Sequence, residues 1–200
     1  MAMPPRALTE QEKDLQQQRI CKSAKELVLL YGVKKVSVDD IIRAAGVGKA
    51  TFYGYFASKE ALLLQLVWDI YQGFVGQTRE MILGSTPDTL RQNVAAFLHS
   101  LIRDREKVFF FQNHQELSDL IAAAPPSELR DFSQMEYRAF EGLIALAGLD
   151  TAAVKPDVVH NYVHSMYFSA SDGSMMPAHL EETIDAMMNG LLSYLFAAGS

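Results

Sequence analysis

The chain has 200 residues, of which 49% are hydrophobic and 21% charged, with a net charge of −6 and a single cysteine, Cys21. One cysteine excludes an internal disulfide and a cysteine-based zinc site, and no apolar run reaches the roughly 18 residues of a membrane span, so no membrane segment is expected. Charge is segregated, since residues 1–60 hold 10 Lys and Arg against 7 Asp and Glu, whereas residues 61–200 hold 8 against 17; contact with nucleic acid is therefore expected in the N-terminal third.

Apolar residues recur at spacings of three and four along almost the whole chain, which predicts an all-α fold. The first helix is predicted from about residue 11 to 31, where Gly32 ends it. Ser37 then offers a hydroxyl as the N-cap of a short second helix over residues 38–45, and Asp40 is placed to complete a capping box.

Gly46 can take the left-handed conformation that ends the second helix, and a third helix is predicted over residues 49–55. Two short helices joined by a tight glycine-containing turn form a helix-turn-helix. Phe52 and Phe56, four residues apart, are expected to face inward. The opposite face suits a DNA major groove, because it offers a cation, a methyl group, a hydroxyl and two phenols: Lys49, Ala50, Thr51, Tyr53 and Tyr55.

Lys59 stands at the first position of the fourth helix, behind Ser58 as N-cap, where a cation faces the positive end of the helix dipole. A bound DNA phosphate would explain this lysine, because the free backbone N–H groups and the ammonium would contact the same anion. The alternative is that Glu60 compensates the dipole and Lys59 points to water.

Residues 37–62, SVDDIIRAAGVGKATFYGYFASKEAL, resemble the DNA-binding signature of the TetR family of bacterial transcriptional repressors, and the resemblance covers roughly residues 12–65. It implies an N-terminal three-helix DNA-binding domain over residues 1–58 and a C-terminal helical domain over residues 59–200, which binds an effector and dimerises. It also implies contacts with double-stranded DNA from the recognition helix and its flanks: Ser37, Gly48, Lys49, Ala50, Thr51, Tyr53, Tyr55 and Lys59.

The chain departs from the family pattern at three positions. Gly48 replaces a frequent Ser, Ile42 replaces a frequent Ala, and Gly54 puts a poor helix former at the end of the recognition helix. The two glycines leave open an alternative function, an effector-binding protein that acts in activation or whose DNA-binding head has degenerated.

The C-terminal helices are predicted over residues 59–83, 87–103, 109–123, 126–147, 156–171 and 178–198, with a loop over 171–177. In TetR-like proteins the last two helices pair with those of a second subunit. Here they carry more apolar residues than one seam requires, which predicts a homodimer with these interface residues: Tyr162, Met166, Ile184, Met188, Leu191 and Leu195. Two recognition helices related by a two-fold axis predict a palindromic operator.

Aromatic side chains on the fourth helix and the middle helices are candidates for the walls of an effector site, which would suit a mostly apolar ligand of moderate size. These residues are Trp68, Tyr71, Phe74, Phe97, Phe110, His114, Tyr137 and Phe140. The alternative is that they form plain core, as aromatic residues at helical spacing usually do. The resemblance implies a repressor that the effector releases from DNA.

His160 and His164 lie one helical turn apart and could share a metal ion. Because no Asp, Glu or Cys stands one turn away on that face, interface packing is favoured, and neither a metal nor a cofactor is expected. An enzyme is not expected either, because the chain has no GxSxG elbow, P-loop or dinucleotide-binding glycine pattern. The N-terminal residues lack the apolar segment and cleavage site of a signal peptide, which predicts a cytoplasmic location.

Overall fold

The structure is a computed structural model that describes residues 9–104, 126–171 and 177–196. Regular structure within these ranges is entirely helical, which confirms the all-α fold class. The helices are α1 Glu10–Tyr31, α2 Val38–Ala45, α3 Lys49–Tyr55, α4 Lys59–Leu83, α5 Pro87–Ile102, α6 Pro126–Leu146, α7 Pro156–Ser171, a 3₁₀ turn Pro177–His179 and α8 Leu180–Phe196. The helix predicted over residues 109–123 lies outside the described residues.

The chain divides into two compact units between Val67 and Trp68. We call them the N-terminal unit and the C-terminal unit. The division lies within α4, because the first turns of that helix bury Leu62, Leu63 and Leu66 in the N-terminal unit. The sequence predicted that the DNA-binding domain ends at residue 58. This functional boundary differs from the division between the two units, and it stays a prediction.

The N-terminal unit packs around one side of α1. Ile20, Ala24 and Val28 recur at a spacing of four along this helix and are buried, as expected for the apolar stripe of an amphipathic helix. The helix begins with a capping box between Thr9 and Glu12. It ends at Gly32, whose φ of 87° lies in the region that favours glycine.

The C-terminal unit has a core formed by the facing sides of α5, α6, α7 and α8. Leu101, Ile144, Tyr167 and Leu191, one from each helix, belong to a single buried cluster. The α7–α8 pair packs closely where Tyr162 meets Gly190, because a Cβ atom at Gly190 would lie 3.3 Å from the tyrosine ring. None of the described helices is long and apolar enough to cross a lipid bilayer.

The residues predicted for a dimer interface on the last two helices are mostly buried in this core, and their contact with a partner stays a prediction. The side chains of Met166, Ile184, Met188, Leu191 and Leu195 are at most 7% exposed in the single chain. They pack against α5, α6 and each other within one subunit. Tyr162 is half-buried against Gly190. The apolar surplus of these helices is therefore used inside the chain.

The last helix also begins later than predicted. A 3₁₀ turn occupies Pro177–His179, and α8 starts at Leu180, whereas the sequence predicted a helix from residue 178. Thr183 donates its hydroxyl to the carbonyl oxygen of His179 at 2.9 Å, which satisfies one backbone acceptor where the two helical segments meet.

Candidate nucleic-acid interface and apolar cavity

The start of α2 is fixed by a reciprocal capping box between Ser37 and Asp40. The Asp40 N–H donates to Ser37 Oγ at 3.2 Å, and the Ser37 N–H donates to Asp40 Oδ2 at 3.1 Å. Two donors that the helix would otherwise leave unsatisfied are thus paired. The hydrogen bonds from Ser37 hold the pKa of Asp40 below its usual value.

The turn between α2 and α3 depends on Gly46. Its φ of 65° and ψ of 36° place it in the left-handed helical region, which other residues adopt only with strain. The Val47 N–H donates to the carbonyl oxygen of Ile42 at 3.0 Å and closes the turn. Gly48 is the N-cap of α3 and supplies no side-chain hydrogen bond to it. The helix-turn-helix prediction is confirmed.

The two faces of α3 differ in burial as the sequence predicted. Phe52 is fully buried, and Phe56 is 5% exposed. Their ring centroids lie 5.8 Å apart, so the aromatic pair anchors the helix to the core. On the opposite face Tyr53 is 49% exposed, and Lys49 and Ala50 are also exposed, whereas Thr51 is half-buried.

Tyr55 lies differently from the other candidate DNA contacts. Its hydroxyl donates to Gln16 Oε1 of α1 at 3.0 Å, and its ring is half-buried. The phenol therefore links α3 to α1 within the N-terminal unit. A contact between Tyr55 and phosphate stays a prediction.

Lys59 reaches back across the N-terminal unit. Its ammonium donates to the carbonyl oxygens of Val33 and Val36 at 3.2 and 3.1 Å. The alternative that Lys59 points to water is wrong, because these carbonyls hold the side chain half-buried over the turn between α1 and α2. The exposed Lys34 and Lys35 lie on that turn, between the two acceptors. Phosphate binding by Lys59 stays a prediction.

The positive end of α4 is compensated by Glu60 and Ser58. The Ala61 N–H donates to Ser58 Oγ at 3.2 Å. Hydrogen bonds from its own backbone N–H and from Ser58 hold the pKa of Glu60 below its ordinary value. The carboxylate of Glu60 therefore interacts favourably with the helix dipole at the position where the ammonium of Lys59 opposes it.

An ion pair that the sequence did not suggest joins α2 to α3. Lys49 Nζ lies 3.3 Å from Asp39 Oδ1, and the two side chains are 60% and 63% exposed. Asp39 stands in the first turn of α2, at the positive end of the helix dipole. The pairing was not visible because it depends on how the turn at Gly46 brings the two helix starts together.

This region also matches a known family. A sequence profile for bacterial regulatory proteins of the tetR family matches residues 20–66, which include α2, the turn and α3. Residues 20–66 are thus similar to the DNA-binding segment of that family. The helix-turn-helix described above is therefore the segment that carries the family likeness.

Known transcriptional regulators are similar to different parts of the chain. The transcriptional regulator EthR of Mycolicibacterium smegmatis is 44% identical over 48 residues, which are 24% of this chain and 22% of that one. The chain thus matches about a fifth of the length of that relative. MftR of Mycobacterium tuberculosis, named as a mycofactocin biosynthesis regulator, is 27% identical over 148 residues, 72% of this chain and 69% of that one.

The fold is shared over a longer stretch than the sequence. The solved structure of the fatty acid degradation regulator FadR of Bacillus halodurans superposes with a TM-score of 0.62 at 18% identity. The match covers 94% of this chain and 97% of that one. At this identity the likeness shows a common fold.

The C-terminal unit holds an apolar cavity of about 80 Å³. The rings of Phe74, Phe97 and Phe140 line it, with centroids 6.4 Å apart for Phe74 and Phe97 and 6.0 Å apart for Phe74 and Phe140. Aliphatic side chains from α6, α7 and α8 form much of the remaining wall. Thr78 also lines the cavity, and its hydroxyl donates to the carbonyl oxygen of Phe74 at 2.8 Å.

Among the described candidates, Trp68, Tyr71 and Tyr137 do not line this cavity. Trp68 and Tyr71 pack against each other with ring centroids 5.9 Å apart. Burial raises the pKa of the Tyr71 phenol, which donates to the backbone carbonyl oxygen of Glu136 at 3.2 Å. Tyr137 is 46% exposed. Phe110 and His114 lie outside the described residues.

His160 is engaged by a carboxylate from the neighbouring helix. Its Nε2 lies 3.1 Å from Glu136 Oε1, and this hydrogen bond raises the pKa of His160 despite its partial burial. The ring also packs edge-on against Phe140 and lies 5.8 Å from the His164 ring. Among the described residues, no three His, Cys, Asp or Glu side chains are arranged to hold a metal ion.

Proposed function

We propose that this chain is a transcriptional regulator that binds double-stranded DNA through α2 and α3. The observation that supports it best is the division of α3 into two faces. Phe52 and Phe56 anchor one face, and the other leaves Lys49, Ala50 and Tyr53 in solvent. A short helix held in this way presents side chains of the types that read base edges and contact phosphates in a major groove.

The distribution of charge also supports DNA binding by the surface formed by α2 and α3. Residues 1–60 carry more Lys and Arg than Asp and Glu, whereas residues 61–200 carry a large acidic excess. Exposed cations also stand beside the helix-turn-helix, at Lys34, Lys35 and Arg43. An acidic body repels phosphate, so DNA would approach the chain from the N-terminal unit.

The regulator would act as a homodimer through surfaces of α7 and α8 that remain exposed in one chain. On α7 these exposed positions follow a helical stripe, Asn161, Ser165 and Phe168, and on α8 they are Glu182, Ala186, Asn189 and Ser193. Phe168 is 50% exposed and adds a large apolar surface to this stripe. A two-fold dimer would present two recognition helices to successive major grooves about 34–36 Å apart and would bind a palindromic operator.

The proposed dimer has a direct test in sedimentation velocity. Phe168→Glu would place a charge on the most apolar position of the stripe and is expected to shift the chain from dimer to monomer. Tyr137→Glu, on an exposed ring of another helix, is the matched control and should leave the dimer intact. A chain that sediments as a monomer at micromolar concentration before any substitution excludes this dimer.

The effector would bind in or next to the apolar cavity and release the regulator from DNA. The cavity of about 80 Å³ is smaller than the roughly 300–1,000 Å³ of typical ligand pockets, so binding would have to enlarge it by moving the surrounding helices. That requirement links ligand binding to a conformational change. A preference of about 1–3 kcal/mol for the expanded state would weaken operator binding about 5- to 150-fold.

The wall chemistry favours an apolar effector, and the shared fold with a fatty acid degradation regulator suggests which compounds to try first. A thermal-shift panel of fatty acids and other apolar metabolites tests this part of the proposal. A ligand at 100 times its dissociation constant stabilises the folded chain by about 2.7 kcal/mol. A cavity-filling Leu143→Phe variant should lose that response.

DNA binding itself is tested by gel shift with DNA that flanks the gene of this protein. We expect specific, salt-sensitive retardation that is lost in Lys49→Ala and Tyr53→Ala and kept in Lys155→Ala, an exposed lysine of the C-terminal unit. Absence of a specific shift at any salt concentration would favour the alternative, an effector-binding protein with a degenerate DNA-binding head. Retardation that increases when the effector is added would indicate activation in place of effector-released repression.

A further inference from the structure

The ion pair between α2 and α3 places a carboxylate on the surface that we propose meets DNA. Asp39 lies in the first turn of α2 and Lys49 is the first residue of α3, and their charged atoms are 3.3 Å apart. Both side chains are more than half exposed. Anything that the ammonium of Lys49 touches in a groove therefore also lies close to the carboxylate of Asp39.

A carboxylate at this position opposes generic DNA binding. It repels backbone phosphates, and it competes with them for Lys49. The other acidic residue of this turn, Asp40, is held by Ser37 and lies 3.4 Å from Arg43. Asp39 stands in the same first turn, where an exposed acid stabilises the helix by about 0.3–1 kcal/mol. An exposed ion pair contributes little to stability, which makes the contribution of Asp39 to folding a weak explanation for it.

The two charged groups together match one feature of the major groove. A G·C base pair presents the O6 and N7 acceptors of guanine beside the N4 amino donor of cytosine. Lysine donates to the guanine acceptors, and aspartate accepts from the cytosine amino group. An A·T pair offers one acceptor and one donor on adenine, with an acceptor and a methyl group on thymine, which is a poorer match for this arrangement.

We propose that Asp39 is a specificity-determining residue, which together with Lys49 reads one G·C base pair in each half-site and disfavours DNA that lacks it. The inference rests on the proposed function, because it requires α2 and α3 to bind DNA. It predicts two separate effects of removing the carboxylate. Discrimination at one base pair is reduced, and affinity for DNA of arbitrary sequence increases.

The experiment selects binding sites from a randomised duplex library with the full-length protein and with Asp39→Asn, Lys49→Gln and the double variant. Glu26→Gln is the matched control, since it removes one exposed carboxylate from α1 of the same unit. Dissociation constants are then measured for the selected duplex, for its single base-pair variants and for a random-sequence duplex. Thermal melts check that each variant is folded.

For the wild type and Glu26→Gln, replacing the critical G·C pair by A·T should weaken binding at least about 5-fold. For Asp39→Asn the same replacement should weaken binding less than it does for the wild type, because only the contact of Lys49 with guanine remains, and for the double variant less than about 2-fold. Asp39→Asn should also bind the random duplex about 5-fold more tightly than the wild type at low salt. That gain should be absent when Asp39→Asn is added to Lys49→Gln.

The inference is overturned if Asp39→Asn selects the wild-type site with an unchanged profile at every base pair. It is also overturned if the gain on random DNA persists fully without Lys49, because Asp39 would then act only by repelling phosphates. A wild-type protein that selects a site while Asp39→Asn behaves identically refutes this inference alone. A wild-type protein that binds neither selected nor random DNA refutes the proposed function together with it.

Discussion

The ammonium of Lys59 donates to the carbonyl oxygen of Val36 at 3.1 Å, across 23 positions of the chain. Because the same group also donates to Val33, the first residue of α4 fixes the turn between α1 and α2. Hydrogen bonds to a charged group contribute more than neutral ones. Lys59 is therefore a structural residue of the N-terminal unit, whatever else it binds.

Lys59→Met should lower the free energy of unfolding of the N-terminal unit by about 1–2 kcal/mol, because two carbonyl oxygens lose a charged donor. Lys35→Met is the matched control, since this lysine is exposed on the turn that Lys59 holds. The measurement is hydrogen exchange of the α1 and α2 amides. Equal protection in the two variants would show that the contacts of Lys59 contribute nothing to stability.

Tyr55→Phe should cost about 0.5–1.5 kcal/mol of stability, because it removes the hydrogen bond to Gln16. Gln16→Ala should cost a similar amount, and the double variant should cost less than the sum, since both changes remove one interaction. Urea unfolding of the three variants gives the coupling energy. Strict additivity would mean that the phenol is free to contact phosphate in the folded protein.

Gly76→Ala should stabilise the chain by up to about 1 kcal/mol, because alanine is the better helix former and an added Cβ atom meets nothing within 4 Å. Gly190→Ala should stabilise the chain less than Gly76→Ala does, or destabilise it, since the added Cβ atom would meet the ring of Tyr162 at 3.3 Å. Thermal melts of the two variants compare an open glycine with a packed one. A larger gain at Gly190 would contradict the tight packing of α7 on α8.

The pair of His160 and Glu136 should make stability depend on pH. The hydrogen bond to Glu136 raises the pKa of His160 above the ordinary 6.5, so the folded state binds the proton more tightly than the unfolded chain. The stabilisation is fully present below the ordinary value and is lost as pH rises through the raised pKa.

His160→Gln should therefore lower the melting temperature more at acidic than at alkaline pH, and Glu136→Gln should follow the same trend. His179→Gln is the control, because that side chain is 73% exposed. The measurement is a series of thermal melts from mildly acidic to alkaline pH. If the melting temperature of His160→Gln lies below that of the wild type by the same amount at every pH, the imidazolium is not stabilised by Glu136.

The helix-turn-helix could be predicted from sequence because every boundary in it carries a local signal. Ser37 and Asp40 cap α2, Gly46 is the residue that the left-handed turn requires, and the spacing of Phe52 and Phe56 sets the buried face of α3. These signals act over a few residues. The structure places α2 and α3 within the predicted bounds for this reason.

Contacts between distant residues could not be predicted in the same way. The acceptors of Lys59 are backbone carbonyls, which every residue has, so no residue type marks them. The ion pair of Lys49 with Asp39 depends on the geometry of the intervening turn. Leu191 and Met188 were assigned to a dimer interface because burial within a chain and burial between chains leave the same apolar pattern.

The central claim is that the exposed face of α3 binds the major groove. The most direct test measures hydrogen exchange of the protein's backbone amides with and without the DNA duplex that the protein selects. On adding that duplex, we expect slowed exchange in residues 46–56 and at the start of α2, with no slowing when Tyr53→Ala replaces the wild type. Slowed exchange confined to other segments, with residues 46–56 unchanged while the DNA is bound, would contradict the claim.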